Sequence, residues 1–276
     1  MTSVILTIGD ELLSGHVLDT NTHWLSKRLF LLGEELKNVV VLSDDAEEIG
    51  EWILRFVGRR SLPTSIVNAS NVAPKITPNI DFLFVCGGLG STPDDVTMSA
   101  VATALKKELV VSEKALKHME QLGNYMYEKG YINIKMEVND AIIKMATVIK
   151  GAKVMENKAG FCPGVTLKVK GTRIFILPGV PQELKSIFTS EIEETYIKSN
   201  NLGGGRFVEE IVLSEVEARI AHLLNKMNED FPKVSIGSYP TFGVKRLVIR
   251  AVGENQEDVK KVIKEIMEYS DSLPEF

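Results

Sequence analysis

Cysteine and histidine are both scarce in this sequence. The chain has two cysteines, Cys86 and Cys162, which excludes a fold held together by several disulfides. One bridge between them is not excluded, but Cys86 ends an apolar run, which favours two half-buried thiols in a reducing compartment. The four histidines, at positions 16, 23, 118 and 222, lack metal-ligand spacing. No HExxH motif and no Ser/His/Asp or Cys/His arrangement stands out.

Excess positive charge and long apolar runs are lacking as well. The 32 Lys and Arg residues are outnumbered by 37 Asp and Glu, giving a net charge of −5, and no stretch is basic enough to bind a phosphate backbone. The first residues lead directly into a strand-like run, without a signal segment. No run is long enough to cross a bilayer. The sequence therefore predicts a cytoplasmic protein that binds neither nucleic acid nor membrane.

What is present is an alternation of short apolar runs and helical patterns. Val4–Ile8, Val39–Leu42 and Phe82–Cys86 have the pattern of buried strands, and helices are predicted to follow them, the first from Asn21 and the third from near Asp95. Three strand–loop–helix units in a row predict right-handed crossovers and a three-layer α/β fold with a mainly parallel sheet. Ligands of such sheets bind beyond the carboxyl ends of the strands.

The second half of the chain contains a hairpin, a linker and a small domain. Two alternating runs around Lys170-Gly171-Thr172 predict the hairpin, and a helix is predicted from Pro181 through Ile197. The Asn- and Gly-rich stretch near 200–205 predicts a linker. The predicted domains are residues 1–204, the α/β domain, and residues 205–276, a small α+β domain. Residues 61–80, rich in proline and without periodicity, predict a surface excursion.

A glycine-rich stretch lies between the third predicted strand and the following helix. It reads Gly87-Gly88-Leu89-Gly90-Ser91-Thr92-Pro93-Asp94-Asp95-Val96-Thr97. Glycines let backbone N–H groups approach an anion, and the helix N-terminus adds partial positive charge, so the stretch predicts a phosphate site. Asp94 and Asp95 have the wrong sign for phosphate, and they either cap the helix or hold a divalent metal that bridges to the phosphates. The stretch is not a P-loop, because Gly-Lys-Ser/Thr is absent.

Carboxylates also follow the other two predicted strands. Gly9-Asp10-Glu11 and Asp19-Thr20-Asn21 come after the first strand, and Asp44-Asp45 comes after the second. A solvated loop or a helix cap explains each of them singly. Three neighbouring strands that deliver carboxylates to one edge of a sheet favour metal or general-base chemistry. Asn157-Lys158 and Pro178-Gly179 are predicted to complete the pocket.

These motifs resemble those of the CinA proteins, which belong to the molybdopterin-binding superfamily of the MoaB and MogA type. The resemblance covers roughly residues 3–200, and the remainder looks like the small domain that follows in CinA proteins. It rests on Ile8–Gly15, Asp19–Asn21, Gly87–Thr97, Asn157–Lys158 and Leu177–Pro181. There are departures from the family pattern: Ser91 stands where proline is usual, Phe161-Cys162 replaces smaller residues, and 61–80 is longer than usual.

The resemblance implies a ligand at the glycine-rich loop of a three-layer α/β domain. In the molybdopterin branch, acidic residues matching Asp95 and Asp44 are tied to adenylylation or metal insertion. In the CinA branch, the domain is associated with metal-dependent hydrolysis of nucleotide diphosphates such as ADP-ribose, and related domains act on FAD. The chain stops before the amidohydrolase domain of longer CinA proteins, so deamidation of nicotinamide mononucleotide is not expected.

Three functions are compatible with this sequence. The first is a nucleotide pyrophosphatase that uses Mg²⁺, Mn²⁺ or Co²⁺ to activate water against ADP-ribose or FAD. The second is a protein that binds a pterin phosphate without hydrolysing it, in molybdenum cofactor metabolism. The third is a scaffold whose C-terminal domain docks a partner. The physiological substrate is left open, and so is the oligomeric state, a homo-oligomer included.

The predicted site residues fall into three groups. Catalysis is predicted for Asp95, Asp44 and Glu11. Metal binding is predicted for Asp10, Asp19, Asp94 and Asp95. Ligand and phosphate binding is predicted for Gly9, Asp10, Thr20, Asn21, Gly87, Gly88, Leu89, Gly90, Ser91, Thr92, Thr97, Asn157, Lys158, Pro178 and Gly179.

Overall fold

The computed structural model describes residues 1–58, 80–199, 205–241 and 246–274. The chain divides into two compact units, the first comprising Met1–Leu29 and Glu34–Asn200 and the second Phe30–Gly33 and Asn201–Phe276. Nearly all of the predicted excursion at 61–80 and most of the predicted linker lie outside the described residues. The domain boundary at residue 204 therefore stays a prediction.

The first unit is built on a mainly parallel sheet, as predicted. Its described strands are β1 (Thr2–Ile8), β2 (Glu35–Leu42), β3 (Phe82–Cys86), β6 (Lys153–Met155), β7 (Gly164–Val169) and β8 (Thr172–Leu177). They lie in the order β2-β1-β3-β8-β7-β6. In this spatial order, β2, β1, β3 and β8 are all parallel to one another. Among the six described strands, only β7 runs the other way, antiparallel to both β8 and β6. The carboxyl ends of the other five strands therefore meet at one edge of the sheet.

The central strands are apolar along their length because helices cover both faces of the sheet. Val4, Ile5 and Leu6 of β1 are fully buried, and all of β3 is buried. This is the burial expected of parallel strands inside an α/β fold. The edge strand β2 begins at Glu35, four residues before the predicted apolar run, because its outer residues face solvent and do not need to be apolar.

Helices connect these strands. In the described part of the first unit they are α1 (Asp10–Leu13), α2 (Thr20–Leu31), α3 (Ala46–Gly58), α4 (Thr97–Ala104), α5 (Glu113–Glu128), α6 (Asp140–Ala146) and α7 (Pro181–Ile187). Two predicted helices differ from these. The third begins at Thr97 rather than near Asp95, and the one from Pro181 continues after Ile187 as an eleven-residue π-helix, Phe188–Lys198. The buried Phe188, Ile192 and Ile197 of this segment are four and five residues apart, a spacing that the wider π turn accommodates.

A smaller layer packs beside the glycine-rich loop. The strands β4 (Leu109–Val111) and β5 (Thr147–Ile149) form an antiparallel pair. Next to them, α5 and α6 pack through Ala115, Met119, Ile142 and Ala146. This layer matters for function because α6 carries residues to the loop.

The second unit has its own antiparallel sheet, as predicted for a small α+β domain. Its described strands are β9 (Phe207–Leu213), β10 (Val234–Thr241) and β11 (Arg246–Gly253), in the order β10-β11-β9. Its helices α8 (Glu217–Asp230) and α9 (Gln256–Ser272) supply Ile220, Leu224, Val259 and Ile266 to a separate apolar core. No described helix in either unit is both long and apolar enough to span a bilayer.

Candidate functional site

The first two strands end in acidic loops that bond to each other. The Asp10 N–H donates to the Asp44 carboxylate at 3.0 Å, and the Asp44 N–H donates to the Asp10 carboxylate at 3.3 Å. The neighbouring Asp45 accepts from the Glu48 N–H at 2.8 Å at the start of α3. Asp45 therefore caps the helix, which leaves the carboxylate of Asp44 at the sheet edge.

The glycines at the end of β3 stand where no side chain fits. Gly87 has φ of 103° and Gly88 has φ of 64°, in the left-handed region that favours glycine. A Cβ on Gly87 would overlap the Ile8 carbonyl oxygen, and a Cβ on Gly88 would overlap the Thr97 hydroxyl. The turn is held by two bonds, from the Gly87 N–H to the Leu177 carbonyl at 3.0 Å and from the Thr97 N–H to the Gly88 carbonyl at 3.1 Å. The predicted close-approach turn is present.

This turn presents hydrogen-bonding groups that the protein does not use. Among the described residues, the N–H groups of Gly88, Leu89 and Gly90 have no partner. The Thr97 hydroxyl is fully buried, and it also has no partner in the described part of the chain. Buried polar groups are nearly always satisfied, so each exception requires an explanation. The buried Thr97 hydroxyl is such an exception, and it lies beside Gly88 on the same turn as the three N–H groups, where a bound anion would be.

Asp95 closes the loop rather than capping the helix. Its carboxylate accepts from the Thr92 N–H at 3.0 Å and from the Thr92 hydroxyl at 2.6 Å, and it covers the space beside Gly90. The N-cap of α4 is Val96, with no side-chain cap bond. The helix-capping alternative is therefore wrong for Asp95. Ser91, Thr92 and Asp94 are exposed.

Negative charge accumulates around Asp44. Burial raises the pKa of the Asp44 carboxyl, and the nearby charges of Asp10, Glu11 and Asp94 raise it further, against the hydrogen bond from Asp10. Glu11 folds back over Gly9, so its carboxylate lies against the backbone at the end of β1. A carboxylate with a raised pKa beside like charges is a group that a proton or a cation would stabilise.

The loop before α2 meets the end of β8. The Asn21 side-chain amide donates to the Gly179 carbonyl at 2.6 Å, and Gly179 itself lies close to the Gly87 backbone. The other amide atom, Asn21 Oδ1, is buried without a partner in the described chain. Asp19 caps α2, since it accepts from the Thr22 N–H at 2.8 Å.

The predicted metal ligands do not form a preassembled metal site. Within the described residues, no group of three or more Asp, Glu, His or Cys side chains could hold a metal ion. Of the four predicted ligands, Asp19 caps a helix and Asp95 bonds Thr92, while Asp10 is paired with Asp44. A divalent cation at this edge would therefore need oxygen atoms from the ligand as well.

The loop after β6 is anchored by Asn157, one of the predicted ligand-binding residues. The buried Asn157 amide donates to Glu183 at 2.9 Å and to the Cys162 carbonyl at 2.8 Å. Cys162 in turn lies 3.3 Å from the Leu89 carbonyl, and burial raises the pKa of its thiol to about 12, so it is a packing group and not a nucleophile. Lys158 is exposed and makes no hydrogen bond or ion pair with the predicted site in the described chain.

A pocket of about 140 Å³ adjoins the glycine-rich turn. Its predicted members are Gly88, Leu89, Gly90 and Asp95, and the members that sequence reasoning missed are Met98, Ser99, Leu109, Lys144, Met145, Thr147 and Pro163. Most of the missed residues come from α6 and from the small β4–β5 layer, far along the chain. The pocket combines a polar turn on one side with apolar walls on the other, which suits a phosphate attached to a ring.

Family comparisons match both units. A model described as "Probable molybdopterin binding domain" matches residues 4–197, and one described as "FAD synthase, middle domain" matches residues 206–273. A protein from Pyrococcus furiosus is 34% identical over 266 residues, 96% of this chain and 95% of that protein.

Two solved structures are similar to part of this chain. The CinA protein from Thermoplasma acidophilum, described as having unknown function, is 26% identical with a TM-score of 0.53, and the match covers 70% of this chain and 98% of that one. The molybdopterin biosynthesis enzyme MoaB from a Thermus species is 18% identical with a TM-score of 0.38, covering 68% of this chain and 86% of that one.

Proposed function

Because this chain belongs to the molybdopterin-binding-domain family as a CinA-like member, we propose that it binds a nucleoside diphosphate compound and hydrolyses the diphosphate. The observation that carries the proposal is the set of unused donors on one turn. The free N–H groups of Gly88, Leu89 and Gly90 would bind the phosphate oxygens, with the buried Thr97 hydroxyl as a fourth donor. Preorganised backbone donors of this kind stabilise the charge that builds up as the phosphoanhydride bond of a diphosphate breaks.

The pocket also has features that would bind the part of the ligand beyond its phosphates. Leu89, Met98 and Met145 offer apolar contacts to a base or other flat ring beside the phosphates. A nucleotide is also favoured by the match of the second unit to the middle domain of FAD synthase, a protein named for a dinucleotide. ADP-ribose and FAD both contain a ring, a ribose and a diphosphate, so they are suitable probes.

Asp44 is the residue best suited to accept a proton from the attacking water. Its raised pKa makes it a stronger base than an ordinary aspartate, and the Asp10 N–H donates to its carboxylate and holds it in place. Water adds to one phosphorus, the bridging P–O bond breaks, and the products of ADP-ribose would be AMP and ribose 5-phosphate. A divalent cation held by Asp10 and the phosphates would neutralise the diphosphate charge. Asp95 keeps the loop closed during this step through Thr92.

A second candidate function is binding of a pterin phosphate without hydrolysis. It is favoured by the family description over residues 4–197, and by the lack of a three-carboxylate metal site in the described chain. The same turn would bind the same phosphate chemistry in both cases. The two functions differ only in whether the bond is broken.

Product analysis separates the two functions. Purified protein is incubated with ADP-ribose or FAD and Mg²⁺, Mn²⁺ or Co²⁺, and AMP is measured by chromatography. AMP formation that depends on the metal and is lost in Asp44→Asn supports hydrolysis. Tight binding of these compounds without AMP overturns hydrolysis and leaves the binding function.

Thr97→Val tests the phosphate turn itself. Because the buried hydroxyl has no partner in the described chain, we expect the free energy of unfolding to stay constant or rise by up to about 1 kcal/mol. Affinity for ADP-ribose, measured by calorimetry, should fall roughly tenfold, the effect of about one hydrogen bond.

Thr166→Val is the matched control for that experiment. The Thr166 hydroxyl is buried too, but it donates to the Ile174 carbonyl at 2.9 Å. This variant should lose about 1–2 kcal/mol of stability without a change in affinity. If Thr97→Val behaves in the same way, the unpaired hydroxyl does not serve a ligand.

A further inference from the structure

Lys144 reaches the glycine-rich loop from outside it. This lysine lies in the last turn of α6 and is half-buried. Its ammonium group donates to the Thr92 carbonyl oxygen, and its side chain lines the same pocket as Gly88, Gly90 and Asp95. Hydrogen bonding by Thr92 and the charge of Lys144 both lower the pKa of Asp94, so the ammonium acts on the acidic end of the loop.

Among the described residues that line the pocket, Lys144 is the only one with a positively charged side chain. Asp10, Glu11 and Asp94 surround Asp44 closely enough to perturb it, and an anionic ligand would enter this negative field. Backbone N–H groups carry only partial charges. A full positive charge at the turn would make phosphate binding favourable before any metal arrives.

The other lysines nearby are poor candidates for this role. Lys158 is exposed, without a bond to the site in the described chain. Lys150, just past β5, pairs with Glu108 at 2.5 Å on the surface. Lys144 differs from both because a backbone carbonyl holds its ammonium group beside the turn. That contact leaves two of its three N–H bonds for other acceptors.

We propose that Lys144 is the phosphate-recognition residue of this site, pairing its ammonium group with the ligand phosphate bound at Gly88 and Gly90. The inference rests on the proposed function for the location of the phosphate, and it adds the residue that makes the site selective for an anion. The bond to Thr92 positions the ammonium group before the ligand binds. The packing of α6 against α5 through Ile142 and Ala146 fixes the helix that carries it.

The test compares charge removal at two lysines. Lys144→Met removes the charge and keeps an unbranched side chain, Lys144→Arg keeps the charge, and Lys150→Met is the matched control just after β5. Calorimetry measures affinity for inorganic pyrophosphate, ADP-ribose and uncharged adenosine at several salt concentrations, and urea unfolding checks that each variant is folded.

For Lys144→Met we expect at least a tenfold loss of affinity for pyrophosphate and ADP-ribose, a shallower salt dependence, and adenosine binding within twofold of the parent. Lys150→Met should bind like the parent, and Lys144→Arg should recover most of the loss.

An equal loss for adenosine, or no loss for pyrophosphate, overturns the role of Lys144. A parent protein that binds pyrophosphate but not ADP-ribose contradicts the proposed function, while the pyrophosphate series still decides Lys144. A parent that binds neither overturns both.

Discussion

Two glycine turns in the first unit differ in what surrounds them. At the hairpin between β7 and β8, Lys170 has φ of 48° and Gly171 has φ of 98°, and a Cβ added to Gly171 would meet nothing within 4 Å. At the end of β3, Gly88 also has positive φ, but a Cβ there would overlap Thr97 and approach Asp44 at 3.4 Å. In the hairpin turn, glycine is needed only because the backbone angle is left-handed. In the turn after β3, it is needed for that angle and also because a side chain would not fit.

That difference separates a turn that shapes the chain from one that serves a ligand. The hairpin turn connects two neighbouring antiparallel strands, and solvent surrounds it. The turn after β3 is packed between Ile8, Leu177 and Thr97, yet it leaves three N–H groups without a partner in the described chain. A crowded turn with unused donors is poorly explained by stability alone, because unsatisfied polar groups destabilise the folded state.

Gly88→Ala should give the largest effect. The left-handed angle costs a residue with a Cβ about 1–2 kcal/mol, and the overlap with Thr97 adds about 1–3 kcal/mol. We therefore expect the free energy of unfolding in urea to fall by about 2–5 kcal/mol. Affinity for ADP-ribose should fall more than tenfold, because the turn must shift to admit the Cβ. Unchanged affinity in a folded variant would remove this turn from the site.

Gly171→Ala is the counterpart at the hairpin and should have a smaller effect. Only the backbone angle opposes the new Cβ, so we expect a loss of about 1 kcal/mol in urea unfolding. Calorimetric affinity for ADP-ribose should equal that of the parent. A loss of affinity here as large as in Gly88→Ala would mean that general loosening of the fold, and not the local turn, controls binding.

Asp44→Asn tests the carboxylate beside the turn after β3 through the pH dependence of stability. Of the three variants, it should change the free energy of unfolding least. Burial first, and then the charges of Asp10, Glu11 and Asp94, raise the pKa of Asp44 in the folded chain. The folded state therefore holds this proton more tightly than the unfolded state. Its stability falls as pH rises from the ordinary aspartate pKa through the raised value.

The asparagine variant does not titrate, so it should match the parent at low pH. Above the titration window it should be more stable by at most about 1 kcal/mol, since Asp44 is only partly buried. Urea unfolding across the acidic to neutral range measures the difference. A variant that is less stable than the parent at neutral pH would mean that the Asp44 charge is already neutralised by a partner.

The sequence predicted the fold class and the sheet edge well, because both depend on local patterns. The apolar runs that end at Ile8 and Cys86 form buried strands that pair with each other in parallel. The residues that follow them lie at the same edge of the sheet. The small second domain with its own sheet was predicted on the same grounds. The length of β2 was not, because an edge strand tolerates polar residues that break the pattern.

The roles of individual carboxylates were much less predictable. Asp19, Asp44, Asp45 and Asp95 all follow strands or precede helices, and each was compatible with capping or with chemistry. Asp45 and Asp19 cap helices, whereas Asp95 bonds back to Thr92. Capping geometry depends on backbone angles that similar sequences share only approximately, so spacing alone does not distinguish these outcomes.

The sequence by itself determined that a glycine-rich turn follows a buried strand, because only glycine accepts those angles in that space. It could not identify Lys144 as a neighbour of the turn, or Glu183 as the partner of Asn157. Both act from elements dozens of residues away, and their contacts with Thr92 and Asn157 arise only when α6 and α7 pack against the sheet. Local residue pattern fixes the strands and turns, while the charges that meet at a site depend on long-range packing, which only the tertiary structure decides.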